Sequence, residues 1–173
     1  MASADTTVHV TGTRTAPRLK RAGPIGGAWV NGGHVVSLGY EGLALSDVLA
    51  EVASARVEVL VDVRLTPVSR KKGLSKTALS QALDEIGVRY VHLRGLGNPK
   101  DNRPGFVAGE HGARERFTRL LRGDDGRRDM DALRVLAADY RVGLLCFERN
   151  EAQCHRSLIA RELTGNPCEF PQM

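Results

Sequence analysis

No apolar run in this 173-residue chain approaches the ~20 residues that a membrane-crossing helix requires, and the first residues lack the hydrophobic segment of a secretory signal. The expectation is a soluble, cytoplasmic protein with no membrane partner. Cysteine is scarce. Cys146, Cys154 and Cys168 are an odd number, too few for a disulfide framework, and no CxxC pair supplies the spacing of a typical zinc site. They read as reduced thiols, so no metal ligands are assigned, and the sequence names no cofactor. Aromatic residues make up 5% of the chain, which argues against a single-strand binder that works by stacking bases.

What is present is a 42% hydrophobic content, enough for one domain with a real core. The formal charge is +5, and residues 1–33 hold Arg14, Arg18, Lys20 and Arg21 against Asp5 alone. That segment is rich in Thr, Ala and Gly, has no sustained period and ends in Asn-Gly-Gly. It reads as a flexible basic arm, suited to nucleic acid or to solubility, in which "HVT" or "AWV" could form a short strand. Residues 34–173 read as a single α/β domain.

In that domain, short apolar runs alternate with amphipathic stretches, the mark of βα units. Strands are expected at 34–40, 57–64, 88–93, 141–147 and 167–170. Helices are expected over about 45–52, from Ser75 to Gly87, over about 113–122 and 128–139, and from Asn150 onward. The result is a three-layer, Rossmann-like sandwich with a mainly parallel sheet of about five strands. "RGLGNPKDNRPGFVAGEHG" interrupts the alternation and reads as a long loop, a candidate lid.

Open parallel sheets bind ligands at the carboxyl ends of their strands. The residues there are Tyr40 and Glu41 after the first strand, Asp62, Arg64, Ser69 and Arg70 after the second, and His92, Asn98 and Lys100 after the third. Cys146, Glu148, Cys154, His155 and Arg156 follow the fourth. "VDVRLTPVSRKKGLSK" has no acid after Asp62 and suits a phosphate or nucleic-acid backbone, or is simply a solvated loop. Asp62 lies in an apolar strand and needs a cationic partner such as Arg64.

Asn150 with Gln153 resembles a capping box, which would put Cys154 one turn inside a helix, away from the strongest part of the dipole. Leu158, Ile159 and Leu163 then define the core face, with His155 inside that arc, Arg156 at its border and Cys154 on the far flank. His155 is either a satisfied core histidine or a functional group. Cys146 reads as a small buried hydrophobe, and Cys154 as a structural thiol or a nucleophile.

"SLGYEG", "LVDVRLTPVSRKKGLSK", "YVHLRGLGNP" and "CFERNEAQCHRSLIA", in this order, resemble the signature blocks of the domain-of-unknown-function 488 family. The resemblance spans roughly residues 35–165. It is closest to members with Gly-Tyr-Glu-Gly after the first strand and Leu-Gly-Asn-Pro-Lys after the third. The family's Cys-x-Glu and Cys-His-Arg elements fall on Cys146, Glu148, Cys154, His155 and Arg156. Where the family often has Asp-Pro before Cys-His-Arg, this chain has Asn150-Glu151, and the N-terminal arm lies outside the pattern.

The resemblance implies an α/β fold with a polar site at the strand ends and supplies no reaction. The leading expectation is an enzyme, or an enzyme-derived domain, for a phosphate-bearing nucleotide or nucleic acid. Arg64, Arg70 and Arg156 would bind the anion, His155 and Glu148 would do acid/base work, and Asp62 would orient an arginine. Two alternatives stay open: a non-catalytic nucleic-acid module using the arm and the "SRKKG" loop, and thiol chemistry at Cys154. Enzymatic character, substrate and oligomeric state are left open.

Overall fold

The computed structural model describes residues 35–165. The basic arm, the start of the first strand at His34, the expected strand at 167–170 and Cys168 lie outside the described residues. Four strands form the sheet: β1 (Val35–Gly39), β2 (Val59–Asp62), β3 (Arg89–His92) and β4 (Val142–Cys146), all parallel, in the order β1-β4-β2-β3. With β4 between β1 and β2, the ends of the two strands richest in polar followers become neighbours. Gly39 pairs with Cys146, and Asp62 lies between His92 and Leu145.

Two helical layers cover the sheet, and strand alternation decides which side chain meets which layer. Val36, Leu38, Leu60 and Leu145 pack on α1 (Leu45–Ser54) and α2 (Lys76–Glu85) through Val48, Val52, Leu79 and Leu83. On the other face, Val61, Val142, Leu144 and Cys146 meet α4 (His111–Leu121), α5 (Asp124–Asp139) and α6 (Arg156–Leu163) through Phe117, Leu133, Leu158 and Ile159. The expected three-layer α/β architecture is therefore present, with four strands among the described residues.

Two local expectations are corrected. Residues 94–110 do not form a structureless loop: they fold as two short 3₁₀ turns, Arg94–Leu96 and Lys100–Asn102, followed by the short helix α3 (Arg103–Val107). Buried Asn98 and Asn102 explain this. Asn102 donates through Nδ2 to Asn98 Oδ1 (2.9 Å) and to the carbonyl of Ala113 (3.0 Å), tying the segment to α4. A segment held by satisfied, buried amides is part of the wall and not a lid.

The second correction concerns Asn150. Its side chain does cap, accepting from the amide of Ala152 at 3.0 Å, but what it caps is a 3₁₀ turn, Glu151–Gln153. Cys154 then returns to extended backbone (φ −115°, ψ 143°), and α6 begins only at Arg156. Cys154 therefore stands just ahead of the helix and not one turn inside it. It is buried, not on an outer flank.

Gly39 lets this segment approach β1. A Cβ there would fall on the carbonyl oxygen of Glu148 and within 2.7 Å of Arg149 Cα. Gly39→Ala must displace backbone, so we expect a loss of about 1–3 kcal/mol, read as a lowered midpoint in chemical denaturation. An unchanged midpoint would show that this approach is not required.

Candidate functional site

Alternation places two polar networks at the carboxyl edge, one on each face of the sheet. On the α1/α2 face, Asp62 (0% exposed) and Arg64 (4%) form a buried ion pair. Arg64 Nε donates to both carboxylate oxygens (2.8 and 3.1 Å) and Nη2 to Oδ2 (2.5 Å). Nη1 donates to Tyr40 Oη and to the carbonyl of Leu74, each at 2.9 Å. Tyr90 Oη donates to Asp62 Oδ2 at 2.6 Å, so one carboxylate links β2 to β3 and, through Arg64, to the tyrosine after β1.

Burial works against the charge on Arg64, but the bonds from Asp62 and its negative charge outweigh it and hold the guanidinium above its ordinary pKa. Burial first, and then the bond to Asp62, push the Tyr90 phenol well up. Four of the five Arg64 N–H vectors thus go to described partners. Arg64 lines the neighbouring cleft, yet its main work is structural.

On the opposite face, Cys146 at the end of β4, Glu148 two residues on, and Cys154-His155 ahead of α6 converge. Cys146 Sγ, Glu148 Oε, Cys154 Sγ and one ring nitrogen of His155 all lie within 4.8 Å of one another. Glu148 Oε2 is 3.0 Å from Cys146 Sγ and 3.2 Å from Cys154 Sγ. His155 Nδ1 faces the same sulfurs at 3.8 and 3.7 Å.

The second ring nitrogen fixes the tautomer. His155 Nε2 is 3.0 Å from the carbonyl of Val63, which can only accept, so Nε2 carries a hydrogen and Nδ1 is the atom turned toward the thiols, a lone pair in the neutral ring and an N–H donor to the Cys154 sulfur in the protonated one. The Phe117 ring stands edge-on to His155 at 5.1 Å and fills the space behind it.

Arg156, 1% exposed, completes the cluster. Its Nε donates to Cys154 Sγ (3.2 Å) and its Nη2 to the carbonyl of Glu148 (2.5 Å), while Nη1 has no partner among the described residues. Burial would raise the Cys154 pKa. Hydrogen bonds from Cys146 and His155, with the charges of His155 and Arg156, outweigh it and bring the thiol down to about 3. Cys146 moves the other way, well up, because it donates to Cys154 and is buried. Glu148 is pushed up by burial and then by the Cys154 charge.

Between the networks opens a cleft of about 350 Å³, walled by Tyr40, Arg64, Ser69, Arg70, Lys71 and Arg103 and reaching Cys146 and Glu148. Four cations face it against one carboxylate. Of the residues singled out from sequence, Tyr40, Arg64, Ser69, Arg70, Cys146 and Glu148 meet at this cleft, and Cys154, His155 and Arg156 lie behind it. The others do not reach it. Glu41 accepts from the amide of Arg149 (3.2 Å), His92 Nε2 contacts the carbonyl of Arg64 (2.8 Å), Asn98 is buried against Asn102, and Lys100 is exposed.

Three participants were given no site role from sequence: Tyr90 and Arg103 gave no motif, and Lys71 is one charge among several in the basic loop. Cys146 reads as a core hydrophobe, and it is indeed buried, but its sulfur points at Glu148. The Cys-x-Glu and Cys-His-Arg elements carry the signal, but they do not say that the two thiols meet.

Asp62→Ala would strand the buried Arg64 guanidinium. We expect a destabilisation of about 3–5 kcal/mol, with Tyr90→Phe costing about 1 kcal/mol. Equal, small effects of both in urea unfolding would show that the pair is not the anchor.

None of the helices among the described residues is long and apolar enough to cross a membrane. No curated protein and no solved structure matches the chain. One family does, Domain of unknown function DUF488, over residues 44–163, a span that takes in Arg64 and its loop, the wall at Arg103, and both thiols with Glu148, His155 and Arg156. With the Asp62–Arg64 pair and the whole thiol cluster inside the matched span, the chain belongs to the DUF488 family.

Proposed function

We propose that this chain is an enzyme, or an enzyme-derived binding domain, that takes a phosphate-bearing ligand of the nucleotide or nucleic-acid class into the cleft at the carboxyl edge of the sheet. The observation that carries this reading is the composition of the cleft wall. Arg70, Lys71 and Arg103 join Arg64 around a space of about 350 Å³, and a pocket of that size suits a small ligand.

The cations divide by commitment. Arg64 is tied to Asp62, Tyr40 and Leu74, so it fixes the wall and presents little free donor capacity. Arg70 is exposed and has no side-chain partner among the described residues. Lys71 Nζ donates to the carbonyl of Leu43 (2.9 Å) and Arg103 Nε to that of Asn98 (3.2 Å), which holds their stems and leaves further N–H groups for an anion. Arg156 lies beside the thiols and is not a cleft-wall residue. In this reading Arg70, Lys71 and Arg103 bind phosphate, and the bound molecule's other end meets Cys146 and Glu148.

The test is a thermal-shift and calorimetric panel of nucleoside mono-, di- and triphosphates and short oligonucleotides on the full chain. We expect a binder whose affinity falls about tenfold or more in Arg70→Ala/Lys71→Ala and declines with salt. Lack of response to every phosphate-bearing ligand overturns the reading. So does oligonucleotide binding that survives the double variant but vanishes when residues 1–33 are removed, since the arm would then be the binding element.

A further inference from the structure

We propose that Cys146, Glu148, Cys154 and His155 form a binding site for a single divalent transition-metal ion of the zinc class. This goes beyond the anion-binding reading and does not depend on it.

The argument begins with geometry. A tetrahedral ion holding thiolates at ~2.3 Å and imidazole or carboxylate at ~2.0–2.2 Å has ligand–ligand edges of about 3.3–3.8 Å. The sulfur-to-imidazole separations here are 3.8 and 3.7 Å and the sulfur-to-carboxylate separations are 3.0 and 3.2 Å. All four ligating atoms lie within 4.8 Å of one another, so modest side-chain rotation about their present positions closes a coordination shell.

The surroundings are those of a ligand set. The Val63 carbonyl accepts from His155 Nε2 and turns the Nδ1 lone pair inward, the outer-shell arrangement that orients metal-bound histidines. Arg156 Nε supports Cys154 Sγ in the same way. Charge agrees as well. An ion that displaced the protons of Cys146 and Glu148 would face two thiolates and a carboxylate with a single buried guanidinium beside them, and its two positive charges would bring that group to neutrality.

Donor identity selects the class. Two sulfurs with one imidazole disfavour calcium and magnesium, which take oxygen, and favour zinc or its spectroscopic stand-in cobalt. Glu148 is the half-buried member and lines the cleft with Cys146, so the ion would sit at the cleft's base with Glu148 as its most exchangeable ligand.

The experiment uses the full chain, reduced with a phosphine, stripped with chelator and titrated with Co²⁺ and then Zn²⁺. We expect one ion per chain, a thiolate-to-cobalt charge-transfer band with tetrahedral ligand-field absorption, and loss of both when one equivalent of zinc is added. Cys146→Ser/Cys154→Ser should abolish the charge-transfer band. Glu148→Gln should keep it while weakening binding by about tenfold or more.

Should the double variant fail to fold by circular dichroism, the native chain still decides. Zinc should slow the reaction of two thiols with a disulfide reagent, and chelator should restore it. The proposal is overturned by substoichiometric cobalt uptake on the reduced native chain. It is also overturned by unchanged cobalt spectra in the folded double variant, or by a Cys146–Cys154 disulfide that reforms in chain that takes up no metal, which would mark a redox pair.

Discussion

Three consecutive residues at the exit of β2 hold the carboxyl edge together. The Asp62 carboxylate is fully buried and pairs with Arg64, and the side chains of Tyr40 and Tyr90 join that pair on the α1/α2 face. The intervening backbone serves the rest of the edge. The amide of Val63 donates to the carbonyl of Leu145, its carbonyl receives His155 Nε2, and the carbonyl of Arg64 contacts His92 Nε2. A buried ion pair cannot drift without leaving a charge unpaired, so whatever is bonded to this backbone inherits its position. The orientation of His155 toward the two thiols is set by a carboxylate on the other side of the sheet.

The strand order makes this economical. Because β4 inserts between β1 and β2, Cys146 ends beside Gly39 and one residue beyond the Asp62 register. Alternation then turns Cys146 toward α6 and Asp62 toward α2, and the two networks never compete for one volume. Gly39 completes the arrangement by admitting the Glu148 backbone, whose carbonyl accepts from Arg156. Strand ends, one glycine and one helix start suffice to bring Cys146, Glu148 and Cys154-His155 together.

Much of this was legible in the sequence, and what was missed has identifiable physical causes. Runs such as "VEVLVDVR" announce strands buried on both faces, and a parallel sheet sends its polar followers to one edge, so Tyr40, Arg64, Arg70 and Glu148 could be placed in advance. The turn at Asn150 could not. Asn150 with Gln153 satisfies the pattern of a helix start, but the same pattern serves a 3₁₀ turn, which is what Asn150 caps here. That small shift moved Cys154 from an outer flank to the centre of the cluster. Similarly, "GNPKDNRPG" has loop composition, and only the buried pairing of Asn98 with Asn102 makes it a wall. Cys146 reads as buried and is buried, but burial alone does not say that its neighbour is another thiol.

The cleft and the cluster behind it carry opposite charge, and this constrains how they can cooperate. The rim is cationic through Arg70, Lys71 and Arg103, whereas the base holds Cys146 and Glu148 with the Cys154 thiolate behind them. An anionic ligand drawn in by the rim meets increasing repulsion as it approaches the base, and at the low dielectric of a buried site that repulsion is not screened away. One way to relieve it is to keep Cys146 and Glu148 protonated, the direction in which both are pushed. The other is to place a divalent ion among them, which would bring the base to neutrality and remove the repulsion on the Glu148 side of the cleft. The two states would differ in ligand affinity chiefly by the interaction of that ion with the ligand, since Lys71 and Arg103 are held by the carbonyls of Leu43 and Asn98, outside the cluster.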